Sequence, residues 1–292
     1  MTKGAYKKQT SKRGKAQKTL FIVVAVLFSI YGFTLVYPFF WTLINSLKTN
    51  REFSSTNSLH FPEKWMFSNY KNAFAELSVR GTNMFGMIFN SLWFTCGATL
   101  INIFCCCCTA YVIARYKFRG RKFLYSLAIV MMMLPIVGAL PAQYKMVSDL
   151  HLKDSPLFLL TCTGGFGFNF IILYAFFQNL SWTYAEAAKM DGAGNMRIFL
   201  QIMLPQAMPS VTALAIVQAI GFWNDYMTPI LYLRSFPTLA SGLYEFDPDR
   251  ITGGSYPVYF AGLMLSMLPV LAVFGVFQNT IMQNTVAGGL KG

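Results

Sequence analysis

The stretch that decides the fold is TLFIVVAVLFSIYGFTLVYPFFWTLINSL, residues 19–47, which contains no charged residue. A helix that crosses a bilayer needs about 20 mainly apolar residues, and this stretch is longer. A secretory signal peptide would have a shorter apolar part, ending at a small-residue cleavage site. We therefore interpret residues 1–18 as a basic N-terminus and residues 19–47 as a retained first membrane helix. The basic residues before it are Lys3, Lys7, Lys8, Lys12, Arg13, Lys15 and Lys18.

The composition of the whole chain points the same way. Hydrophobic residues make up 55% and charged residues 12%, against about 25% charged in ordinary soluble domains. The net charge of +13 could indicate a nucleic-acid ligand. However, the basic residues are concentrated in two short acid-free segments beside apolar stretches, as is typical of cytoplasmic loops. This placement favours a membrane protein over one that binds nucleic acid. The second segment contains Arg115, Lys117, Arg119, Arg121 and Lys122.

Five more apolar stretches predict an all-α integral membrane protein with about six transmembrane helices. They cover residues 85–114, 123–142, 156–179, 211–233 and 256–282. An even number of crossings places both termini and both basic segments in the cytoplasm, in agreement with the positive-inside rule. The loops 48–84 and 234–255 then lie outside. We expect Pro135 and Pro141 to kink the third helix, and residues 19–292 to form one transmembrane domain.

Neither the cysteines nor the histidines suggest a metal centre or an enzyme. Four of the six cysteines are consecutive, and side chains that rotate by about 100° per residue cannot converge on one ion. We interpret them as small apolar packing residues. No Gly-Lys-Ser or Gly-Lys-Thr occurs, so there is no P-loop, and we expect neither ATP hydrolysis nor a cofactor in this chain. The residues considered are Cys96, Cys105, Cys106, Cys107, Cys108, Cys162, His60 and His151.

A polar segment between the fourth and fifth apolar stretches predicts two short helices with a turn between them. It reads YAEAAKMDGAGNMRIFLQIMLPQAMP, from Tyr184 to Pro209. Gly192 tolerates the positive φ that closes a helix, and Leu204-Pro205 is expected to end the second helix. The alanines would present a smooth surface to a partner. By periodicity alone, an ordinary amphipathic connector is an equally good interpretation.

This segment resembles the coupling helix in permease subunits of binding-protein-dependent ABC importers. The resemblance lies in Glu-Ala-Ala, a Gly shortly after it, and a later Leu-Pro. In that family the segment docks on a cytoplasmic ATPase. The resemblance therefore implies that the coupling residues are Glu186, Ala187, Ala188, Asp191, Gly192, Ala193, Leu204 and Pro205. One departure precedes the segment, where the family usually has Ile-Pro and this chain has Leu180-Ser181-Trp182.

Other stretches are similar to the carbohydrate-uptake branch, and to the second inner-membrane subunit of the maltose transporter. They are Phe61-Pro62, Asn69-Tyr70, residues 110–121, Trp223-Asn224-Asp225 and residues 288–292. The resemblance implies a sugar permease of the bacterial plasma membrane that forms half of a translocation path. It also implies three kinds of partner: a second homologous permease, two ABC ATPase subunits that bind the ATP, and an extracytoplasmic sugar-binding protein. The sugar itself is not implied.

Asp225 is the only acid within the predicted spans, beside Trp223 and Asn224. An ionisable group in a membrane span is a functional hypothesis by default. A hydrogen bond between helices that fixes an interface is an equally good interpretation. A proton relay normally needs more than one acid, which counts against a proton-coupled carrier. The alternative function is a secondary carrier or channel that works without an ATPase.

Overall fold

The computed structural model describes residues 15–55, 59–134, 138–246, 248 and 254–287. Several predicted features lie outside these residues: most of the basic N-terminus, Pro135 and the terminal residues 288–292. Within them the chain is mostly helical with very little strand, which confirms the helical fold class. Two short strands, β1 Ser78–Val79 and β2 Thr82–Asn83, form an antiparallel hairpin. The helices are α1 Lys15–Ser46, α2 Asn50–Ser55, α3 Ser68–Glu76, α4 Met84–Arg115, α5 Arg121–Met133, α6 Ala139–Asp149, α7 Phe168–Asn179, α8 Thr183–Met190, α9 Asn195–Ile198, α10 Leu204–Asn224, α11 Met227–Tyr232, α12 Leu239–Glu245 and α13 Tyr256–Ala287.

Four helices in the described part of the chain are long and apolar enough to cross a membrane. They cover Gln17–Ser46, Met84–Arg115, Asn195–Asn224 and Tyr256–Asn279. The first of them packs against α13 and leaves most of its side chains exposed, with Phe28 at 70%. An apolar helix that the rest of the chain does not cover needs lipid or another apolar protein surface around it, since exposure of that surface to water is unfavourable.

The structure interrupts the helices expected over residues 123–142 and 156–179. The first stretch contains the end of α5 and the start of α6, separated by residues 134–138. The second begins with a 3₁₀ helix, Pro156–Cys162, and only then continues as α7. With 13 and 12 residues, α5 and α7 are only about 20 and 18 Å long. Neither alone reaches across the roughly 30 Å of a bilayer's hydrocarbon core.

The break before α7 is stabilised by polar side chains of α4. The backbone of residues 163–167 is not helical, so its carbonyl groups need other partners. The Asn102 amide donates to the Cys162 carbonyl at 3.0 Å, the Thr109 hydroxyl donates to the Gly165 carbonyl at 3.2 Å, and the Cys106 thiol donates to the Gly164 carbonyl. Irregular backbone at membrane depth is tolerated only where protein or water satisfies it, and these three bonds from α4 meet that requirement.

The centre of the fold is α4, which packs against both α7 and α10. Cys106 and Cys107 are buried there, while Cys105 and Cys108 are half-buried. The four cysteines therefore follow the helix around its axis, in keeping with a packing role. The core continues to the end of α4, where the Tyr111 ring lies 4.7 Å from Phe199 and 5.5 Å from Phe177.

The two loops predicted to lie outside meet at the N-terminal end of α4. Asn90 of α4 donates to the Pro237 carbonyl at 3.0 Å, and Arg80 forms an ion pair with Glu245. The Asn50 amide donates to the Gly254 carbonyl at 3.3 Å. Loop 48–83 and the described part of loop 234–255 therefore form one surface, which we call the loop layer.

The start of the loop layer is held by a capping box at α2. The Glu52 carboxylate accepts bonds from the Thr49 N–H at 3.0 Å and the Thr49 hydroxyl at 3.1 Å, and Thr49 Oγ1 accepts from the Glu52 N–H at 3.2 Å. The other Glu52 oxygen accepts from the Glu63 N–H at 2.6 Å. These donors, the Thr49 N–H first, lower the pKa of the Glu52 carboxyl. The same charge that caps α2 thus also fastens the following loop.

Candidate functional site

The segment from Thr183 forms a helical hairpin at the C-terminal end of α4. Its first helix, α8, carries Glu186 in the first turn and Lys189 in the last, each at the end of the helix dipole that stabilises its charge. The helix then closes with Gly192 at φ +82°. The Gly192 N–H donates to the Lys189 carbonyl at 3.0 Å and the Ala193 N–H to the Ala188 carbonyl at 2.9 Å, the two bonds of a Schellman motif. The predicted positive φ at Gly192 is confirmed.

The prediction that Leu204-Pro205 ends the second helix is wrong. Asn195–Asn224 is one continuous rod with a π-helical turn, Phe199–Met203, inside it. Proline interrupts an α-helix because it lacks an N–H and its ring clashes with the carbonyl four residues earlier. The π turn shifts the bonding by one residue, so that the Leu204 N–H donates to the Phe199 carbonyl. Pro205 then falls in the first turn of α10, where proline is tolerated.

One face of the hairpin is anchored in the protein core. Ala185, Ile198 and Met203 are fully buried in the cluster that contains Tyr111 and Phe177. Burial of an aliphatic side chain contributes roughly 1.5–3 kcal/mol, so these contacts stabilise the position of the hairpin against the core. The second helix of the hairpin is continuous with α10 through the rod Asn195–Asn224.

The opposite face, which we call the hairpin face, is exposed and carries large apolar side chains. Met190 is 89% exposed, Met196 68% and Tyr184 60%. An exposed apolar group rimmed by charges is typical of a protein interaction site, and methionine is common at adaptable binding surfaces. The face consists of Tyr184, Glu186, Ala187, Lys189, Met190, Asp191, Gly192, Met196 and Arg197.

The structure divides the predicted coupling residues between the two faces. Glu186, Ala187, Asp191 and Gly192 are exposed. Ala188, Ala193 and Leu204 are half-buried against the core cluster. The first group is available to a partner, whereas the second positions the hairpin. Pro205 is exposed on the rod that follows.

Arg115 holds the start of the hairpin, a role that sequence reasoning missed. Its guanidinium lies 5.3 Å from the centroid of the Trp182 ring and donates a hydrogen bond to the Leu180 carbonyl. A cation over the face of Trp is stabilising, and Arg suits this geometry because its fork is planar. From the sequence, Arg115 is interpreted only as one of the basic residues that favour a cytoplasmic loop. The available signal was the departure at Leu180-Ser181-Trp182, which places an aromatic side chain just before the hairpin.

The three residues Trp223, Asn224 and Asp225 do not form one site. The Trp223 indole is buried and donates to the Ser266 carbonyl of α13 at 3.2 Å, so the bond between helices belongs to this residue. Asn224 is exposed and donates to the Ile220 carbonyl of its own helix at 2.9 Å. Asp225 follows the last residue of α10 and accepts from the Thr228 N–H at 3.0 Å. Its carboxylate therefore caps α11 at a helix break, not in the middle of a span as predicted.

Comparison with known proteins identifies the class of this chain. Residues 108–285 match the family described as the inner membrane component of binding-protein-dependent transport systems. The match covers more than half of the sequence, so the chain belongs to that family. It is accordingly a multi-pass protein of the bacterial plasma membrane, and its relatives are transport permeases. Membership of the family implies that the chain functions together with other subunits of a transport system.

Individual relatives cover nearly the whole chain. A diacetylchitobiose uptake system permease protein of Streptomyces coelicolor is 29% identical over 91% of this chain and 87% of its own length. A galactooligosaccharides transport system permease protein of Bacillus subtilis is 29% identical, over 91% and 94%. The crystal structure of a bacterial ABC transporter involved in import of the acidic polysaccharide alginate contains a chain with TM-score 0.77 and 23% identity, over 91% of this chain and 98% of that one. That likeness establishes the fold.

Proposed function

We propose that this chain is a permease subunit of an ATP-driven oligosaccharide importer and forms half of its translocation path. The observation that carries the proposal is the hairpin face, an exposed apolar surface on a rigidly seated hairpin in a member of this transport family. The substrate class is supported by the relatives, whose names include diacetylchitobiose, galactooligosaccharides and arabinooligosaccharides.

The chain crosses the membrane six times with both ends inside. Four crossings are the long helices, and the others are the α5 region and the 3₁₀ helix followed by α7. The 3₁₀ helix and α7 contain 7 and 12 residues. At about 2.0 Å per 3₁₀ residue and 1.5 Å per α residue they reach roughly 32 Å, close to the thickness of a hydrocarbon core. The polar bonds from α4 support a protein-lined broken helix at this position.

ATP is bound by separate ATPase subunits, and the hairpin face docks on one of them. Closure of the two ATPase subunits would then push the hairpin, whose buried side chains transfer the movement to the core. The rod Asn195–Asn224 carries it further into the membrane. Transport follows if such rigid-body motion switches the path from outward to inward access. A second, homologous permease supplies the other half of the path.

The loop layer receives the extracytoplasmic sugar-binding protein. It lies at the end of α4 opposite the hairpin, and the contacts of Arg80 with Glu245 and of Asn50 with Gly254 join both loops into one surface. Exposed aromatic side chains there include Phe61, Trp65 and Tyr244. Such side chains are enriched in protein interfaces.

Charge reversal on the hairpin face tests the coupling role. Glu186→Lys places a cation at the positive end of the α8 dipole and on the docking surface, so we expect it to weaken co-purification of the ATPase and to reduce sugar uptake at least tenfold. Glu76→Lys is the matched control, an equally exposed acid at the other end of α4. It should leave ATPase co-purification unchanged.

The left-handed turn provides a second variant of the same surface. Gly192→Asn is expected to keep coupling, because Asn tolerates positive φ, whereas Gly192→Val is strained by about 1–2 kcal/mol in this conformation. No atom lies within 4 Å of a Cβ at this position, so backbone strain alone separates the two variants. Wild-type uptake by both Glu186→Lys and Gly192→Val would refute coupling through the hairpin. Uptake in vesicles without any ATPase would indicate a secondary carrier.

A further inference from the structure

A cleft of about 480 Å³ lies between the start of α5 and the end of α7. Its lining differs from that of the apolar spans, because every side chain carries a hydrogen-bond donor. Two of the donors are cations. The residues are Arg121, Lys122, Tyr125, Ser126, Tyr174 and Gln178.

The helices around the cleft supply no negative charge. No Asp or Glu occurs between Glu76 and Asp149 or between Asp154 and Glu186, so α4, α5 and α7 are free of acids. One N–H of the Arg121 guanidinium donates to the Ala114 carbonyl at 2.9 Å and so anchors the side chain. A guanidinium has five N–H donors in all. A cleft with one anchored guanidinium, a neighbouring lysine and no carboxylate suits an anion.

The depth of the cleft matches the head-group layer of a bilayer. With a rise of about 1.5 Å per residue, Tyr125 lies about 6 Å along α5 from Arg121. The head-group layer on each side of a membrane is roughly 5–7 Å thick. Tyr125 and Tyr174 pack with their ring centroids 4.5 Å apart, and tyrosines of this kind are enriched at the membrane interface. A cleft of this length would reach from the membrane surface to the start of the hydrocarbon region.

Exposed apolar side chains continue from the cleft along α5. Phe123, Val130 and Met133 are all exposed, which gives an acyl chain a surface beside the polar cleft. A free phosphate ion would make no use of this surface. The combination of cationic cleft, tyrosine wall and apolar strip fits a whole phospholipid better than a soluble anion.

We propose that this cleft binds the phosphate of an anionic phospholipid, with the acyl chains along the exposed side of α5. The inference rests on the proposed function only for the orientation, which places the lipid in the cytoplasmic leaflet. Arg121 and Lys122 provide the charge that selects an anionic head group over a zwitterionic one. The hydroxyls of Tyr125 and Ser126 and the amide of Gln178 provide further donors to the phosphate oxygens.

Removal of the two cleft cations tests the site. The purified chain, its Arg121→Gln/Lys122→Gln variant and a matched Lys117→Gln/Arg119→Gln variant are titrated with phosphatidylglycerol and with phosphatidylcholine, and bound lipid is counted by native mass spectrometry. The control pair loses the same charge from the same loop but does not line the cleft. We expect the wild type and the control to bind phosphatidylglycerol in preference, and the cleft variant to bind it about thirty-fold more weakly.

Other outcomes would overturn the proposal. Equal weakening in both double variants would indicate diffuse attraction to a basic surface. Competition by millimolar inorganic phosphate as effective as by intact lipid would assign the cleft to a soluble anion, and displacement of lipid by added ATPase would assign it to a protein interface. The single variant Lys122→Gln retains the hydrogen bond from Arg121 to the Ala114 carbonyl. Weaker lipid binding by this variant therefore cannot be attributed to the loss of that structural bond. Lipid binding needs neither ATPase nor sugar, so failed coupling would leave this result unchanged.

Discussion

Adding one methyl group at Gly164 should destabilise the protein, because the glycine-rich break before α7 is packed against α4. A Cβ at Gly164 would lie 2.4 Å from Asn102 Nδ2 and 2.9 Å from Asn102 Cγ. To make room, the amide must turn away and give up its 3.0 Å bond to the Cys162 carbonyl. Gly164→Ala therefore tests whether this irregular backbone is held in the way the structure indicates.

The magnitude follows from two contributions. A lost hydrogen bond between membrane helices costs about 0.6–1.7 kcal/mol, and overpacking a filled site typically costs about 1–3 kcal/mol. We expect the free energy of unfolding to fall by about 2–4 kcal/mol. Gly165→Ala is the matched control in the same segment, because no atom lies within 4 Å of its Cβ. Its effect should stay within about 0.5 kcal/mol.

The assay is thermal unfolding of the detergent-purified variants. At about 2–4 °C per kcal/mol, the midpoint for Gly164→Ala should fall by at least about 4 °C relative to Gly165→Ala. A double-mutant cycle with Asn102→Ala isolates the contact, since the methyl group should cost much less once the amide is absent. Equal midpoints for the two alanine variants, or a methyl cost independent of Asn102, would refute the reasoning.

Two further predictions concern the contact of Arg115 with Trp182 and the capping box of α2. Arg115→Lys keeps the positive charge that favours a cytoplasmic loop but loses the planar stack on Trp182, so hydrogen exchange over residues 180–190 should increase several-fold, and unchanged exchange would argue against the clamp. Glu52 has a lowered pKa in the folded protein, so its contribution is present above its ordinary pKa of 4.5 and is lost as the pH falls below that value through the lowered one. Glu52→Gln should cost about 1 kcal/mol at neutral pH and flatten the acid limb of the stability profile; a variant with an unchanged acid limb would contradict this.

Hydropathy and motif spacing predicted those parts of the fold that depend on local sequence. The long apolar helices α1, α4 and α13 lie close to their predicted positions, because a bilayer imposes the same length and apolarity on any spanning helix. Gly192 was predicted to close a helix because glycine itself tolerates positive φ, whatever its surroundings. The six crossings, the orientation and the coupling role follow from charge placement and resemblance, and remain proposals.

The errors arose where specific hydrogen bonds, from distant residues or within a π turn, decide the local backbone. Residues 156–179 are mainly apolar and predicted one helix, but the glycine-rich backbone at 163–167 is not helical, and Asn102 and Thr109 of α4 satisfy its carbonyl groups. Leu204-Pro205 predicted a helix end, but a π turn accommodates the missing N–H. Both outcomes depend on hydrogen bonds whose partners cannot be identified from apolarity alone.

The sequence by itself determined that this chain is a membrane protein and that a glycine turn closes the first helix of the hairpin, because apolarity, charge placement and the glycine turn are encoded in neighbouring residues. Only the tertiary structure decided that Arg115 clamps Trp182, that Asp225 caps a short helix, and that the basic residues Arg121 and Lys122 line a cleft with Tyr174. These three assignments depend on side chains from separate helices or on where a helix stops. The contacts of Arg115 with Trp182 and the cleft beside Tyr174 exist only after the helices have packed, whereas the Asp225 cap needs only the end of α10.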